Sequence, residues 1–273
     1  MIKRTFLTTV LTSLFSFSAQ AESFSLPIWK DKAEALGYEL PKAVGISFGY
    51  MVLEQGISVD SIELTGIPVV DMLGVDLEAH GGTQKTEVMT LRADAWLFPF
   101  LNVYALVGIL EGYSKTDVSI SFFDGALKPK KTIDFELALE GYTSGAGLVL
   151  AGGYKNVFGL VDLNYSKTKL SIIDGEIDAI VISPRIGYDL TKHGFPLRVW
   201  AGAMYQDVEQ TLKGNLDDIA PNMPGGFTVK QHLTTKWNPL LGMQYQVTDS
   251  WYLLGEVGLG DRKSAFLSID HRF

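Results

Sequence analysis

The chain has 273 residues and no cysteine, which excludes disulfides, thiolate metal sites and cysteine nucleophiles. Acidic residues number 31 against 23 lysines and arginines, and the formal net charge of −8 at pH 7 argues against a nucleic-acid partner. Hydrophobic residues make up 47% of the chain, yet beyond residue 21 no apolar stretch approaches the roughly 20 residues of a membrane-spanning helix.

The first 21 residues, MIKRTFLTTVLTSLFSFSAQA, have the three parts of a secretory signal peptide. Lys3 and Arg4 form a basic start, an apolar run extends to about Phe17, and Ala19-Gln20-Ala21 forms a cleavage site. The apolar run is too short for a membrane anchor. We predict export and cleavage after Ala21, which leaves 21 basic against 31 acidic residues and a formal net charge of −10.

Residues 22–42 form an N-terminal segment that precedes the first predicted strand. Proline is favoured in the first turn of a helix and glycine just after the last turn. Because Pro27 and Gly37 stand at these two positions, we predict a short helix from Ile28 to Leu36.

From residue 43 onward, apolar and polar residues alternate in stretches that are separated by turns, which is the pattern of strands with two different faces. We predict strands near 43–55, 85–98, 102–117, 134–154, 157–173, 176–190, 196–211, 227–247, 250–260 and 264–273. Only helices and closed barrels satisfy every backbone polar group in lipid. Since no stretch is suited to a spanning helix, a membrane span must be a closed barrel.

The connections between the predicted strands are of two kinds. Short turns at 98–101, 154–157, 191–195 and 247–250 alternate with longer segments near 55–85, 114–141 and 210–228 and with tighter reversals at Asp174-Gly175 and near Gly260. Short turns on one side and long loops on the other are typical of outer-membrane barrels.

We therefore predict an all-β fold, a closed antiparallel transmembrane β-barrel over residues 43–273. Four short turns and five longer connections give about ten strands, and eight or twelve strands also fit the pattern. The N-terminal helix would pack under the mouth of this barrel or plug its lumen.

With its signal peptide, its alternating strands and a final strand, SAFLSIDHRF, that ends at Phe273, the chain resembles the Gram-negative outer-membrane β-barrel superfamily of small OmpA-like or porin-like barrels. The resemblance implies residence in the cell outer membrane of a Gram-negative bacterium, with outer-membrane lipid, lipopolysaccharide and the barrel assembly machinery as partners. It also implies an assembly signal on one face of the last strand, formed by Ala265, Leu267, Ile269 and Phe273. His271 departs from the tyrosine or apolar residue that is usual at its position.

If the apolar faces of the strands meet lipid, the opposite faces line a lumen that carries balanced charges. The predicted lumen charge network consists of Arg92, Asp94, Asp162, Arg185, Asp189, Arg198, Lys236, Glu256, Asp270 and Arg272. Buried charges are tolerated when they are paired, and a barrel of about eight strands is just filled by its side chains. The network therefore either braces a filled interior or, in a wider barrel, lines a path for small solutes.

We predict no catalytic residue, metal site or cofactor. The four histidines, His80, His193, His232 and His271, include no His-x-Ser arrangement, and His232 with Asp217 and Asp218 is the one cluster to test. The acidic residues of 55–85 lack the spacing of a calcium loop.

These patterns predict a non-enzymatic integral outer-membrane barrel, either structural or a narrow passive channel with a charge-lined lumen. The alternative is a surface-recognition or adhesion barrel that acts through extracellular loops, which carry Phe122, Phe123 and Phe135. A lipid-modifying enzyme at the barrel rim is the third hypothesis, and the oligomeric state stays open.

Overall fold

The computed structural model describes residues 25–66, 75–79, 81–122, 131–171, 174–215, 217 and 225–273. Nearly all of them belong to one twelve-stranded antiparallel sheet. Its strands are β1 (Val44–Thr65), β2 (Val75–Ala79), β3 (Gly82–Phe98), β4 (Leu101–Phe122), β5 (Lys131–Tyr154), β6 (Val157–Leu170), β7 (Asp174–Asp189), β8 (Leu197–Asn215), β9 (Gly226–Leu233), β10 (Trp237–Gln246), β11 (Trp251–Leu259) and β12 (Lys263–Arg272). One short helix, α1 (Lys30–Ala35), precedes them. The predicted signal peptide lies outside the described residues, and none of the described helices is long and apolar enough to cross a membrane.

The sheet closes on itself at β1. This strand pairs with β3 along one edge and with β12 and β9 along the other. The last residue joins the closure, because the backbone N–H of Phe273 donates to the carbonyl of Val44 at 2.9 Å. The predicted closed antiparallel barrel is therefore confirmed.

The ring contains fewer strands at one end than at the other. The first part of β8 pairs with β10, whereas its last part pairs with β9, which reaches β1 directly above the β11–β12 hairpin. The lower ring thus consists of β1, β3 to β8 and β10 to β12, which are ten strands, and the upper ring of β1 and β3 to β9, which are eight. The single strand predicted over 227–247 is interrupted at 234–236, and β2 extends the line of β3 upward along β4.

All four predicted short turns lie at one end of the barrel, which we call the short-turn end, and the longer connections lie at the opposite, long-loop end. The predicted reversal at Asp174-Gly175 lies in the β6–β7 connection, beyond the last pair of that ladder, Lys169 with Glu176. Both residues also pair with β8.

The outer surface carries an apolar band around the lower ring. Large side chains that face outward and are exposed include Phe48, Leu91, Val107, Leu150, Ile186, Leu241, Leu253 and Leu267. Exposed aromatic residues follow toward the ends of the strands, among them Tyr154 and Trp251 at the short-turn end and Tyr142 and Trp237 toward the long-loop end. Such a band between aromatic girdles is the membrane-facing surface of a transmembrane barrel.

Above this band the two faces of the strands exchange character. In the lower part of β1, Phe48 points outward and Ser47 inward, whereas higher up Ile57 is fully buried inside and Ser58 lies outside. Outward ion pairs appear at the same height, such as Lys85 with Glu54 at 2.8 Å and Lys167 with Glu176 at 2.5 Å. The upper ring therefore has the polar exterior and apolar interior of a water-soluble protein.

The N-terminal segment lies across the short-turn end. Ile28 N–H donates to the carbonyl of Leu97 at 2.8 Å, and the Tyr38 hydroxyl donates to the carbonyl of Gly153 at 3.0 Å. Helix α1 is shorter than the predicted Ile28 to Leu36, and only Ala33 on it is buried. The helix packs under the barrel mouth, and the alternative of a plug inside the lumen is wrong.

The apolar band predicts how the last strand responds to a charge. Leu267 is 64% exposed in the middle of the outward row of β12, so Leu267→Arg should lower the free energy of unfolding by about 2–4 kcal/mol. Lys263→Arg, at the upper end of the same row, should change it by less than about 0.5 kcal/mol. Urea titrations of protein folded into lipid vesicles measure both values, and equal effects would contradict the membrane placement.

Candidate functional site in the barrel lumen

An ion pair between β7 and β11 crosses the lower lumen. Arg185 donates from Nε to Oε2 of Glu256 at 2.7 Å and from Nη2 to Oε1 at 3.1 Å, and their side chains are 14% and 8% exposed. Trp200 Nε1 donates to the same carboxylate at 2.9 Å, and Asp162 lies 4.0 Å from the guanidinium. A bidentate pair with this many partners is a strong and rigid contact.

A second cluster of charges lies beside β1. The Arg272 guanidinium donates from Nη2 to both oxygens of Asp94 at 3.1 and 3.0 Å and from Nε to Asp270 at 3.0 Å. Gly45 makes this approach possible, because a Cβ there would lie 2.8 Å from the Asp94 carboxylate and 3.2 Å from that of Asp270. The cluster therefore spans three neighbouring strands across a residue without a side chain.

Arg92, Asn102 and Tyr104 connect the two clusters. Asn102 donates to Asp94 at 2.5 Å and accepts from Arg92 at 3.2 Å. The Arg92 guanidinium lies over the Tyr104 ring at 3.6 Å, and the Tyr104 hydroxyl donates to Asp162 at 2.6 Å. The result is a polar network that runs without interruption from Asp270 to Glu256.

Asp189 and Arg198 form a separate pair at the short-turn end. Arg198 Nε donates to Asp189 at 2.8 Å, and both side chains are partly exposed, at 30% and 23%. Gln244 accepts from Arg198 at 3.2 Å, and Thr191 donates to Asp189. These two residues line the mouth of the lumen but do not touch the central network.

Lys236 does not belong to the lumen, so its predicted place in the lumen charge network is wrong. Its side chain is 47% exposed and pairs on the outer surface with Asp207 at 2.8 Å. Lys236 would face inward if the alternation of β10 continued back to it, but β10 begins at Trp237 and the connector 234–236 is not part of a strand. The interruption between β9 and β10 therefore places Lys236 on the outer face and not on the lumen face.

Sequence reasoning missed a layer of glutamines above the charges. Gln55 and Gln210 each donate to Oε1 of Gln84, at 2.9 and 3.1 Å, and Gln231 donates to Gln210 at 2.6 Å. All four side chains are buried and sit on adjacent strands. Their inward positions follow from strand alternation, but the predicted lumen network included only charged residues.

The interior of the upper ring is a packed apolar core. Leu139, Leu212 and Ile57 are 0–1% exposed. Around them lie Leu110, Leu137, Phe227, Val229, Ile177, Val208 and Leu233. From the short-turn end upward, the lumen therefore holds a charged network and then an apolar core with the four glutamines inside it.

A cavity of about 760 Å³ lies between the charged network and the N-terminal segment. Aromatic and aliphatic side chains form much of its wall, and Arg92, Arg185 and Glu256 form its inner end. A larger depression of about 1150 Å³ lies over β5 to β8. Its lining is almost entirely apolar, including the outward-facing Leu150, Ile186 and Ala201, so the lumen cavity is the candidate site.

The structure pairs His232 with a carboxylate other than the predicted Asp217 and Asp218, so that cluster stays a prediction. His232 Nδ1 lies 2.8 Å from Asp60 on the outer surface, and Asp218 lies outside the described residues. Among the loop aromatics, Phe135 packs edge-on against Phe227 at 5.9 Å inside the upper ring. It is therefore a core residue and not a surface for recognition.

The four residues of the predicted assembly signal share the outer face of β12. Leu267, Ile269 and Phe273 are 64%, 42% and 62% exposed, and Ala265 also faces outward. His271 lies on the same face between two rings, 4.4 Å from Trp251 and 4.5 Å from Phe273. It thus occupies an aromatic position in the girdle, while recognition by the assembly machinery stays a prediction.

Solved structures with a similar arrangement of strands are outer-membrane proteins. The outer membrane protein OprG from Pseudomonas aeruginosa is 12% identical, with 86% of this chain and 98% of that chain covered at a TM-score of 0.43. An outer membrane channel from Pseudomonas putida F1 is 10% identical, over 86% and 97% at 0.38, and the Pseudomonas putida toluene transporter TodX is 8% identical, over 84% and 88% at 0.32. No family model and no curated protein matches the chain.

The closed ring, the apolar outer band and the girdles define the class of protein. The chain has the architecture of a transmembrane β-barrel, and its activity is argued from the lumen.

The central ion pair predicts an asymmetry between single and double substitutions. Glu256→Leu leaves Arg185 buried with only the more distant Asp162, so the free energy of unfolding should fall by about 3–5 kcal/mol. Arg185→Met combined with Glu256→Leu removes both charges and should restore most of this loss. Lys85→Ala, which breaks an exposed pair, should cost less than about 1 kcal/mol. A double variant no more stable than Glu256→Leu, measured by urea titration, would contradict the bracing role.

Close packing of Trp200 predicts a second effect. A Cβ at Gly242 would lie 2.4 Å from the Trp200 ring, so Gly242→Ala should displace the indole and destabilise the barrel by about 1–3 kcal/mol. At Gly255, on the outer face of the neighbouring strand, the added Cβ would meet Leu267 at 3.5 Å. Gly255→Ala should therefore leave the urea midpoint unchanged, and tryptophan fluorescence should shift only in Gly242→Ala.

Proposed function

We propose that the protein is a non-enzymatic integral outer-membrane barrel whose lumen is closed to ions. The observation that carries this proposal is the apolar core of the upper ring, where Leu139, Leu212 and Ile57 are almost completely buried. An eight-stranded ring is just wide enough for side chains to fill it. Hydrated ions cannot cross a packed apolar layer, because burying an unpaired charge costs far more than thermal energy supplies.

The charged network supports a bracing role. Its carboxylates Asp94, Asp162, Glu256 and Asp270 each accept from an arginine, a tyrosine or an amide of the network, or from the Trp200 indole. Such paired side chains connect strands that are not neighbours in the ring, and they hold the wider, ten-stranded part in shape. A narrow channel with a charge-lined lumen would have to continue upward, but the upper ring holds the apolar core and the uncharged glutamines.

The orientation follows from the fold class. In outer-membrane barrels the short turns face the periplasm and the long loops face the outside. The outward face of β12 would then lie in the outer membrane, where we propose that the barrel assembly machinery recognises Ala265, Leu267, Ile269 and Phe273. Outer-membrane lipid would cover the apolar band, and lipopolysaccharide would meet the outward ion pairs above it.

Planar-bilayer recording tests the closed lumen. The purified barrel should insert without discrete conductance steps, and Arg185→Ala should be equally silent because the apolar core remains. An open porin in the same bilayer is the control for insertion and detection. Reproducible steps whose ion selectivity changes on Arg185→Ala would overturn the proposal in favour of a charge-lined channel.

A further inference from the structure

The cavity at the short-turn end has the size and composition of a binding site for a small organic molecule. Its volume of about 760 Å³ falls within the roughly 300–1,000 Å³ of ligand pockets. Aromatic side chains form its walls: Phe100, Phe158, Tyr252 and Phe266 from the barrel, with Trp29 and Tyr38 from the N-terminal segment. The cavity thus presents flat apolar surfaces around a polar inner end, which is the usual design of such pockets.

Basic residues surround the entrance of this cavity, although the chain as a whole is acidic. Lys32 of α1, Lys155 of the β5–β6 turn and Lys192 of the turn before β8 all line it. These lysines come from three separate elements, and in the described part of the chain none has a carboxylate within ion-pair distance. Glu39 and Asp189 also line the cavity, and Asp189 is paired with Arg198, so the three lysines leave an excess of positive charge that attracts anionic ligands.

Arg92 stands apart from the other arginines that line the cavity. Arg185, Arg198 and Arg272 are each held by a carboxylate. Arg92 instead stacks on Tyr104 and donates to the neutral amide of Asn102, and its Nε has no hydrogen-bond partner. Among the described residues its guanidinium has no carboxylate within ion-pair distance, although the charge of Asp270 acts on it from farther away. Its Nη groups are donors suited to a carboxylate.

We propose that this cavity binds a small amphipathic anion, an aromatic body that carries one carboxylate. The body lies against the aromatic walls, the carboxylate is held by Arg92, and the three lysines draw the anion to the entrance. Cations are disfavoured, because the Asp162 and Glu256 carboxylates at the inner end are already held by Tyr104, Arg185 and Trp200. This site lies below the closed upper ring, so binding from the short-turn end requires no path through the barrel.

Calorimetric titration of the full-length barrel in lipid nanodiscs tests the proposal with three probes of one shape. 2-Naphthoate should bind at least about tenfold more tightly than the neutral 2-naphthamide, since one charge-assisted hydrogen-bonded contact is worth about that factor. The cationic 2-naphthylmethylammonium should bind more weakly than the amide. Empty nanodiscs correct for partitioning of the probes into lipid.

Variants separate the recognition of charge from the folding of the barrel. Arg92→Gln should weaken naphthoate binding about tenfold, to the level of the amide, and Lys236→Gln on the outer surface should leave it unchanged. Lys155→Gln combined with Lys192→Gln alters only exposed side chains and should weaken naphthoate binding about two- to threefold and reduce its dependence on salt. No binding, equal binding of the three probes, or naphthoate binding insensitive to both cavity variants would overturn the proposal while leaving the closed lumen untouched.

Discussion

Closure at β1 is the constraint on which the rest of the structure depends. This one strand holds β3 from Val44 to Ile57 on one side, and on the other side it holds first β12 and then β9. A strand edge in lipid would leave unpaired backbone groups, each at a cost of several kcal/mol. Because β1 continues to Thr65, well past the last residue that pairs with β12, the ring can exchange the three strands β10, β11 and β12 for the single strand β9 and narrow from ten strands to eight.

The narrowing determines what the interior can contain. The wider ring leaves room for long charged side chains and a cavity, and arginines bridge it because they reach farther than other side chains and bind two partners at once. The narrower ring has room only for a close-packed core, and apolar residues fill it at less cost than charges that would need partners. Glutamines lie within the apolar core, where their uncharged amides can bond to one another.

Much of this architecture follows from the sequence, because the two-residue period of a strand assigns each side chain to a face. Alternation located the strands, the short turns and the inward position of Arg185, Glu256 and Arg272. It could not show that the faces exchange character above the membrane. The segment after residue 55 was predicted as a loop because Asp60 and Glu63 make it polar, although Ile57 and Leu64 on the opposite face belong to the core. The cavity depends on contacts between the N-terminal segment and distant turns, which a local pattern does not contain.

The tie between Phe273 and Val44 has a consequence for the order of folding. Two residues at opposite ends of the barrel domain must meet, and contacts so far apart in the chain carry the largest entropic cost of closure and form slowly. Neighbouring hairpins such as β6–β7 can pair as soon as both strands are present, but the β1–β12 seam cannot form until β12 has been delivered. Closure of this barrel therefore follows the synthesis of β12, and a chain that lacks this strand would present an open edge of β1 to whatever strand lies nearby.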